Sequence, residues 1–302
     1  MNCHGRQLSY SGHPYKKTIH SFNVEGNERH PYKLDYIDKG DKVRYTFFPY
    51  DNPQLDTKEK IREAINTFPK GALRQQKIYN EWCVAEGRVF NKVNVIENID
   101  GLQIKEIGIG VDYGSVNPTT FVPIALAFDT NEHRWKLIRL ECYYHDAREE
   151  GEKPTTAYYV EQEKLFIEYL NNKYKGINIT ANVVDSEATH FCNALYNAGI
   201  NYTEAKKGAG SVDKGVQQLQ SLFYKDVFYI LKSKSIKQID KQGNIQYCVR
   251  DESLNEFQSY QYDNIKSMST GQNCYKKDLD HSIDATRYEI DEWQSQGKCP
   301  II

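Results

Sequence analysis

The chain runs to 302 residues, with 39 Lys and Arg against 41 Asp and Glu and a formal net charge of −2. That length can hold one large domain or two around a real core; so even a charge names no partner, although a local basic surface would be enough to bind nucleic acid. No apolar run approaches membrane-spanning length and no charged-then-apolar leader opens the chain, so neither insertion nor secretion is indicated. The seven cysteines are scattered without CxxC spacing, which argues against a zinc site or disulfide framework and fits a reducing cytoplasm. Cys142 and Cys192 fall in apolar stretches and are expected to pack as small hydrophobes.

Residues 1 to about 60 are polar and aromatic, with one strand-like piece at Val43–Phe48 and turn chemistry from Tyr50 to Asp56. Thr57 is placed to cap a helix reaching about Phe68, because Ile61, Ala64 and Ile65 recur at helical spacing. A second helix is expected from Ala72 to Val84. From Gly87 to Asp100 the chain turns extended and polar, which divides it into residues 1–95 and 96–302. Strands are then expected at Ile104–Asp112, Thr120–Phe128 and Trp135–Tyr144. A helix follows from Thr156 to Asn172, its apolar set being Tyr159, Leu165, Phe166, Tyr169 and Leu170, and then a fourth strand at Ile179–Asp185. Further helices are expected at His190–Ala198 and Val212–Phe223, a hairpin around Gln242-Gly-Asn244, and a last helix beginning near Asp280. Three consecutive strands suggest an antiparallel meander, and the helix would cross over to a strand parallel to the first. The result is an α/β mixed sheet flanked by helices, with the fourth strand beside the first.

That topology brings strand-end acids together. Asp112 ends the run Ile107-Gly-Ile-Gly-Val111, and Asp185 ends Ile179-Thr-Ala-Asn-Val-Val184. Asp284 lies in Asp280-His-Ser-Ile-Asp284, where Asp280, His281 and Asp284 share one helical face. Taken singly, each reads as a turn or capping aspartate. Together they make an oxygen-rich pocket for hard divalent cations. Two such ions, roughly 3.5–4 Å apart, can clamp the attacking and leaving oxygens of a phosphodiester.

In this order, Gly-Val-Asp112-Tyr-Gly, Val-Val-Asp185-Ser-Glu and Asp280-His-Ser-Ile-Asp284-Ala-Thr-Arg-Tyr288 resemble the nuclease domain of tailed-bacteriophage terminase large subunits. The likeness extends to Ala205-Lys-Lys-Gly-Ala-Gly-Ser-Val212 with Gly215. Upstream, Asp51-Asn-Pro53 and Tyr79-Asn-Glu-Trp82 to Gly87 resemble the tail of the packaging ATPase, with Asn80 standing where the family often has glycine. The resemblance implies a ribonuclease-H-like fold over residues 96–302 and a residual ATPase tail and linker over 1–95. It implies a metal-dependent endonuclease that cuts double-stranded DNA concatemers during genome packaging, in the cytoplasm of a bacterial host. By it, Asp112, Asp185 and Asp284 bind two Mg²⁺ or Mn²⁺ ions, Asp112 and Asp284 sharing one site with Asp185 bridging or completing the other. His281 ligates metal or orients water. The implied partners, besides DNA, are a terminase small subunit, a portal and an ATPase region.

That region's phosphate-cradling loop is not evident: Gly12-His-Pro-Tyr-Lys-Lys-Thr18 lacks the second glycine and a preceding strand. ATP hydrolysis by this chain alone is therefore not expected, and it reads as a fragment, a split-gene product or half of an interrupted reading frame. Residues 203–250 carry nine Lys or Arg against four Asp or Glu. Lys206, Lys207 and Lys214, beside glycines, are the candidates for phosphate contact without base reading, which fits low sequence specificity. Glu187 and Asp280 are further candidates to ligate a metal or to support its ligands. His190 is expected to pack or cap, and the segment Phe257–Tyr262 to support the last helix. Two other readings stay open: a junction resolvase or transposase on the same fold, and a non-catalytic packaging scaffold.

Overall fold

The computed structural model describes residues 4–8, 17–21, 24, 32–38, 45–68, 72–83, 87–149 and 154–299. The chain divides into two compact units, residues 1–89 with 261–275, and residues 90–260 with 276–302.

In the first unit β1 (His4–Leu8) pairs antiparallel with β2 (Lys17–Ser21). A strand therefore does precede the glycine-poor loop candidate, whose residues 12–16 lie outside the described residues. Helix α1 (Lys58–Asn66) starts where the sequence places it, Thr57 accepting the Lys60 N–H at 3.2 Å. Helix α2 (Ala72–Lys77) stops short of Val84. Asn80 takes a left-handed φ of 55°, which a helix cannot continue through and which Asn tolerates better than most residues. Glycine suits the same conformation, so Asn80 is a conformational equivalent of it. Of the expected strand Val43–Phe48, residues 43 and 44 lie outside the described residues, and Tyr45–Phe48 pairs with no strand among the described residues.

The second unit is built on one mixed sheet. Its strands up to the crossover are β3 (Val95–Ile96), β4 (Leu102–Asp112), β5 (Thr119–Asp129), β6 (Arg134–Arg139) and β7 (Tyr143–His145). Helix α3 (Thr156–Lys173), N-capped by Thr155, crosses over to β8 (Asn178–Ile179) and β9 (Asn182–Val184). Then come α4 (Thr189–Asn197), β10 (Tyr202–Glu204), α5 (Ser211–Tyr224) and β11 (Phe228–Leu231). The hairpin of β12 (Ile236–Ile239) and β13 (Ile245–Tyr247) turns where expected, and α6 (Glu252–Ser259) follows. Helix α7 (Asn264–Thr270) belongs to the first unit, and α8 (His281–Ser295) closes the second. The sheet order β10-β9-β4-β5-β6-β11-β3 has β5 antiparallel to both neighbours, with β9 and β10 parallel to β4. This is the ribonuclease-H-like arrangement: a three-strand meander, a crossover helix, and a parallel strand beside the first.

Two expected strands are each broken by an extra residue. Trp135–Tyr144 splits into β6 and β7 because Val122 and Pro123 of β5 face Leu140, Glu141 and Cys142. Pro123 has no N–H to donate, so its carbonyl takes the Leu140 N–H at 2.9 Å and the ladder bulges there. Likewise Gly108 and Ile109 face Thr180, Ala181 and Asn182, which separates β8 from β9.

The alternation along β4 sorts its residues onto two faces. Ile107, Ile109 and Val111 are fully buried among Tyr159, Phe166 and Leu170 of α3 and Phe191 of α4, in a core that also takes Cys192. Gly108 and Gly110 occupy the other face, where α8 lies. A Cβ at Gly110 would fall on the Ala285 carbonyl, 2.7 Å from its carbon, and one at Gly108 would meet the Glu289 carboxyl and Trp293. Two glycines thus let α8 rest directly on the sheet. Its first three turns are buried almost all round, at Ser282, Ile283 and every residue from Ala285 to Ile290. Among the described residues no helix is long and apolar enough to cross a membrane.

Candidate active site

Register decides which side of the sheet the acids occupy. Asp112 follows Gly108 and Gly110 at two-residue spacing, so it shares the α8 face. Asp185 follows Val183, which packs with Ala205 and Tyr288 of α8, and its N–H continues the ladder to the Val111 carbonyl at 3.2 Å. Helix α8 brings Asp284 to the same place. Burial pushes the Asp112 carboxyl above its ordinary range; His281 pulls it back, and the charges of Asp284 and Asp185 push it up again. Tyr288 is raised by burial and then by the charges of Asp284, Asp112 and Asp185 together. Asp112 therefore lies within the field of both other carboxylates.

Each of the three acids has a basic partner close by, and Asp284 has a second in Lys277 at 3.9 Å. His281 Nδ1 lies 2.8 Å from Asp112 Oδ2. Although burial opposes its charge, the hydrogen bond and charge of Asp112, with Glu256 and Asp280 behind, hold the imidazole above its ordinary range. Arg287 donates to Asp284 Oδ1 at 2.6 Å through Nη2 and at 3.2 Å through Nε. Lys207 Nζ sits 2.6 Å from Asp185 Oδ1 and 2.7 Å from Oδ2, and Tyr288 donates to Oδ2 at 3.1 Å. Among the described residues no three carboxylate, imidazole or thiolate groups stand together as a ready metal cage. The donor chemistry nonetheless suits a hard divalent cation: the Asp112 carboxyl is raised first by burial and further by the charges of Asp284 and Asp185.

The site rests on α8, and the start of that helix is fixed from below. Asp280, its N-cap residue, makes no side-chain capping bond. The buried Glu256 of α6 does that work, accepting the Ser282 N–H at 2.6 Å and the Tyr144 hydroxyl at 2.9 Å. Burial pushes the Glu256 carboxyl up to about 7. Phe257 and Tyr260, beside it, are buried as the sequence suggested.

The other expected residues are distributed around this centre. Asp280 is buried and paired with Lys277 at 3.0 Å. Glu187 is exposed, 3.3 Å from Lys207, and its N–H donates to Asp185 Oδ1 at 2.8 Å. Lys207 is engaged with Asp185 rather than displayed to solvent. Lys206 is exposed, 3.5 Å from Glu292, and Lys214 lies on α5, where its charge partly opposes the burial that pushes the Asp291 carboxyl up. His190 stands in the first turn of α4, exposed. Sequence reasoning assigned no role to Arg287, Tyr288 or Glu256. Spacing could have flagged the first two, which stand three and four residues after Asp284 on one helical face. Gly215 also points to Arg287, because a Cβ there would lie 2.8 Å from its Cδ.

No protein-family model matches the sequence, and no curated protein matches it. Solved structures do. The large terminase of a thermophilic bacteriophage is 24% identical, with a TM-score of 0.69 over 88% of this chain. This chain has the fold of a phage large terminase. The same protein in complex with ATP-γ-S matches with the same TM-score of 0.69. The chain spans 60% of the length of those terminases. The large terminase nuclease of thermophilic phage G20c with bound magnesium is 16% identical over 68% of this chain and 97% of its own, with a TM-score of 0.41, a likeness too loose to argue from.

Proposed function

We propose that this chain is the nuclease part of a phage packaging terminase, a divalent-metal-dependent endonuclease acting on double-stranded DNA. One observation carries the reading. Asp112, Asp185 and Asp284, far apart in sequence, come to the α8 face of a large-terminase fold, where Asp112 feels the charges of both other carboxylates. Mg²⁺ or Mn²⁺ would be held by these three carboxylates, and two such ions when bound supply an activated water and stabilise the departing oxygen. The chain's own residues do the rest. His281 orients the Asp112 carboxylate, Arg287 fixes Asp284 against α8, and Glu256 holds the helix start that carries both His281 and Asp284. Lys206 and Lys214 are the residues we assign to backbone phosphates, consistent with cutting of low sequence specificity.

On this reading residues 1–95 are the tail of a packaging-ATPase domain with its linker, and residues 96–302 are the nuclease. ATP hydrolysis, and the small-subunit and portal partners, would depend on an ATPase region of the kind present in the longer terminases. The test is relaxation of supercoiled plasmid in Mn²⁺ by the chain and by Asp185→Ala. The chain is expected to nick and linearise the plasmid, while the variant keeps its melting transition and loses cutting. Equal cutting by both proteins would remove Asp185 from the site, and no cutting by either in Mg²⁺ or Mn²⁺ would sink the nuclease reading.

A further inference from the structure

The nearest basic partners of the three acids, His281, Arg287 and Lys207, are not equivalent. His281 and Arg287 are rooted in α8, and Arg287, with its side chain 3% exposed, also reaches the Ser211 carbonyl at 3.4 Å. Lys207 instead stands on the connection between β10 and α5. Its Nζ bridges both oxygens of Asp185 at 2.6 and 2.7 Å and lies 3.3 Å from Glu187 Oε2, facing the donors that a hard cation would use. The next residue, Gly208, has open space where a Cβ would be, and Gly210 takes a left-handed φ of 78° before α5 begins. Lys206 points the other way, its side chain 72% exposed towards Glu292 and Ser295. The connection thus carries one lysine inward and one outward.

We propose, on the nuclease reading above, that Lys207 is a built-in counter-ion occupying a cation position on Asp185, and that a divalent metal entering there releases it to a DNA phosphate. An ammonium and a divalent ion on one carboxylate repel, and a metal that takes both Asp185 oxygens displaces Lys207 from them. The released Lys207 joins the exposed Lys206 at the mouth of the site, where phosphate contact supplies sequence-independent affinity. Without metal, Asp185 is neutralised internally and the inward lysine is withheld from DNA.

The test is a titration of the full chain with Mn²⁺, followed by loss of the free-ion electron paramagnetic resonance signal. It compares the chain with Lys207→Gln, Asp185→Asn and the double variant, each first checked for an unchanged melting transition. Lys207→Gln is expected to bind Mn²⁺ roughly fivefold more tightly, the equivalent of about 1 kcal/mol for removing a competing ion pair. That gain is expected to vanish in the Asp185→Asn background. Equal or weaker binding by Lys207→Gln overturns the proposal and leaves the nuclease reading standing, whereas no Mn²⁺ binding by any of the proteins overturns both. A second arm follows the anisotropy of a labelled DNA duplex with and without Ca²⁺. Lys207→Gln is expected to weaken binding several-fold with Ca²⁺ and to change nothing without it, and an equal loss in both conditions overturns the release step.

Discussion

Gly110→Ala probes the contact that sets the site. A Cβ at this position would fall on the Ala285 carbonyl, 2.7 Å from its carbon and 3.4 Å from its Cα. The obstacle is helix backbone rather than the end of a flexible side chain, so relief requires α8 to move off β4. Adding a methyl group to a packed core costs about 1–3 kcal/mol, and a backbone obstacle puts this substitution at the upper end, about 3 kcal/mol. For a domain of roughly 150–250 residues that corresponds to a melting-point drop of about 6–12 °C. Asp284 and His281 ride on α8 while Asp112 rides on β4, so the same displacement should weaken Mn²⁺ binding. Gly208→Ala is the matched control, since among the described residues nothing lies within 4 Å of a Cβ there and the backbone needs no left-handed angle. Calorimetry and Mn²⁺ titration of both variants decide the matter. Near-wild-type melting of Gly110→Ala would refute the reasoning that this glycine seats the helix.

Two further predictions concern buried titratable groups. Burial pushes the Glu163 carboxyl up to about 8, against about 4.3 in an unfolded chain. Between those values the folded state keeps a proton that the unfolded state has released, so stability falls as pH rises from about 4 to about 8. Glu163→Gln cannot titrate and keeps an acceptor for the Asn182 amide. Its urea midpoint should gain on the wild type between about pH 5 and about pH 8, and a gap that stays constant over that range would contradict the assignment. Asp251 pairs with the fully buried Arg139 at 2.7 Å and caps α6 through the Leu254 N–H at 2.9 Å. Asp251→Ala should cost about 3–5 kcal/mol for the stranded guanidinium plus about 1 kcal/mol for the cap. Adding Arg139→Met should restore part of that loss in denaturant melts, and no recovery would mean the ion pair is not the source.

The parts of the fold governed by local pattern were legible in the sequence. Strands β4 and β5, helices α3, α4 and α5 and the β12–β13 hairpin follow from periodicity and turn residues, and the parallel placement of β9 beside β4 followed from the crossover. The breaks at Leu140–Cys142 and Thr180–Ala181 did not, because a bulge depends on what the partner strand offers: Pro123 in one case, a one-residue mismatch in the other. Short strands such as β10 and β11 carry too few residues for their alternation to stand out. At the site, residue types and order pointed to Asp112, Asp185, Asp284 and His281. Partners did not, since Lys207 on Asp185 and Glu256 beneath Ser282 are contacts that only the folded chain creates. Lys207, expected to face phosphate, faces a carboxylate, because the connection after β10 turns it inward while Lys206 turns out.

The central claim is that these acids hold metal, and anomalous diffraction from crystals soaked in Mn²⁺ tests it most directly. The account predicts manganese peaks against the carboxylates of Asp112, Asp185 and Asp284, with Lys207 displaced from Asp185. Peaks elsewhere, or none at these carboxylates while the lysine remains in place, would contradict it.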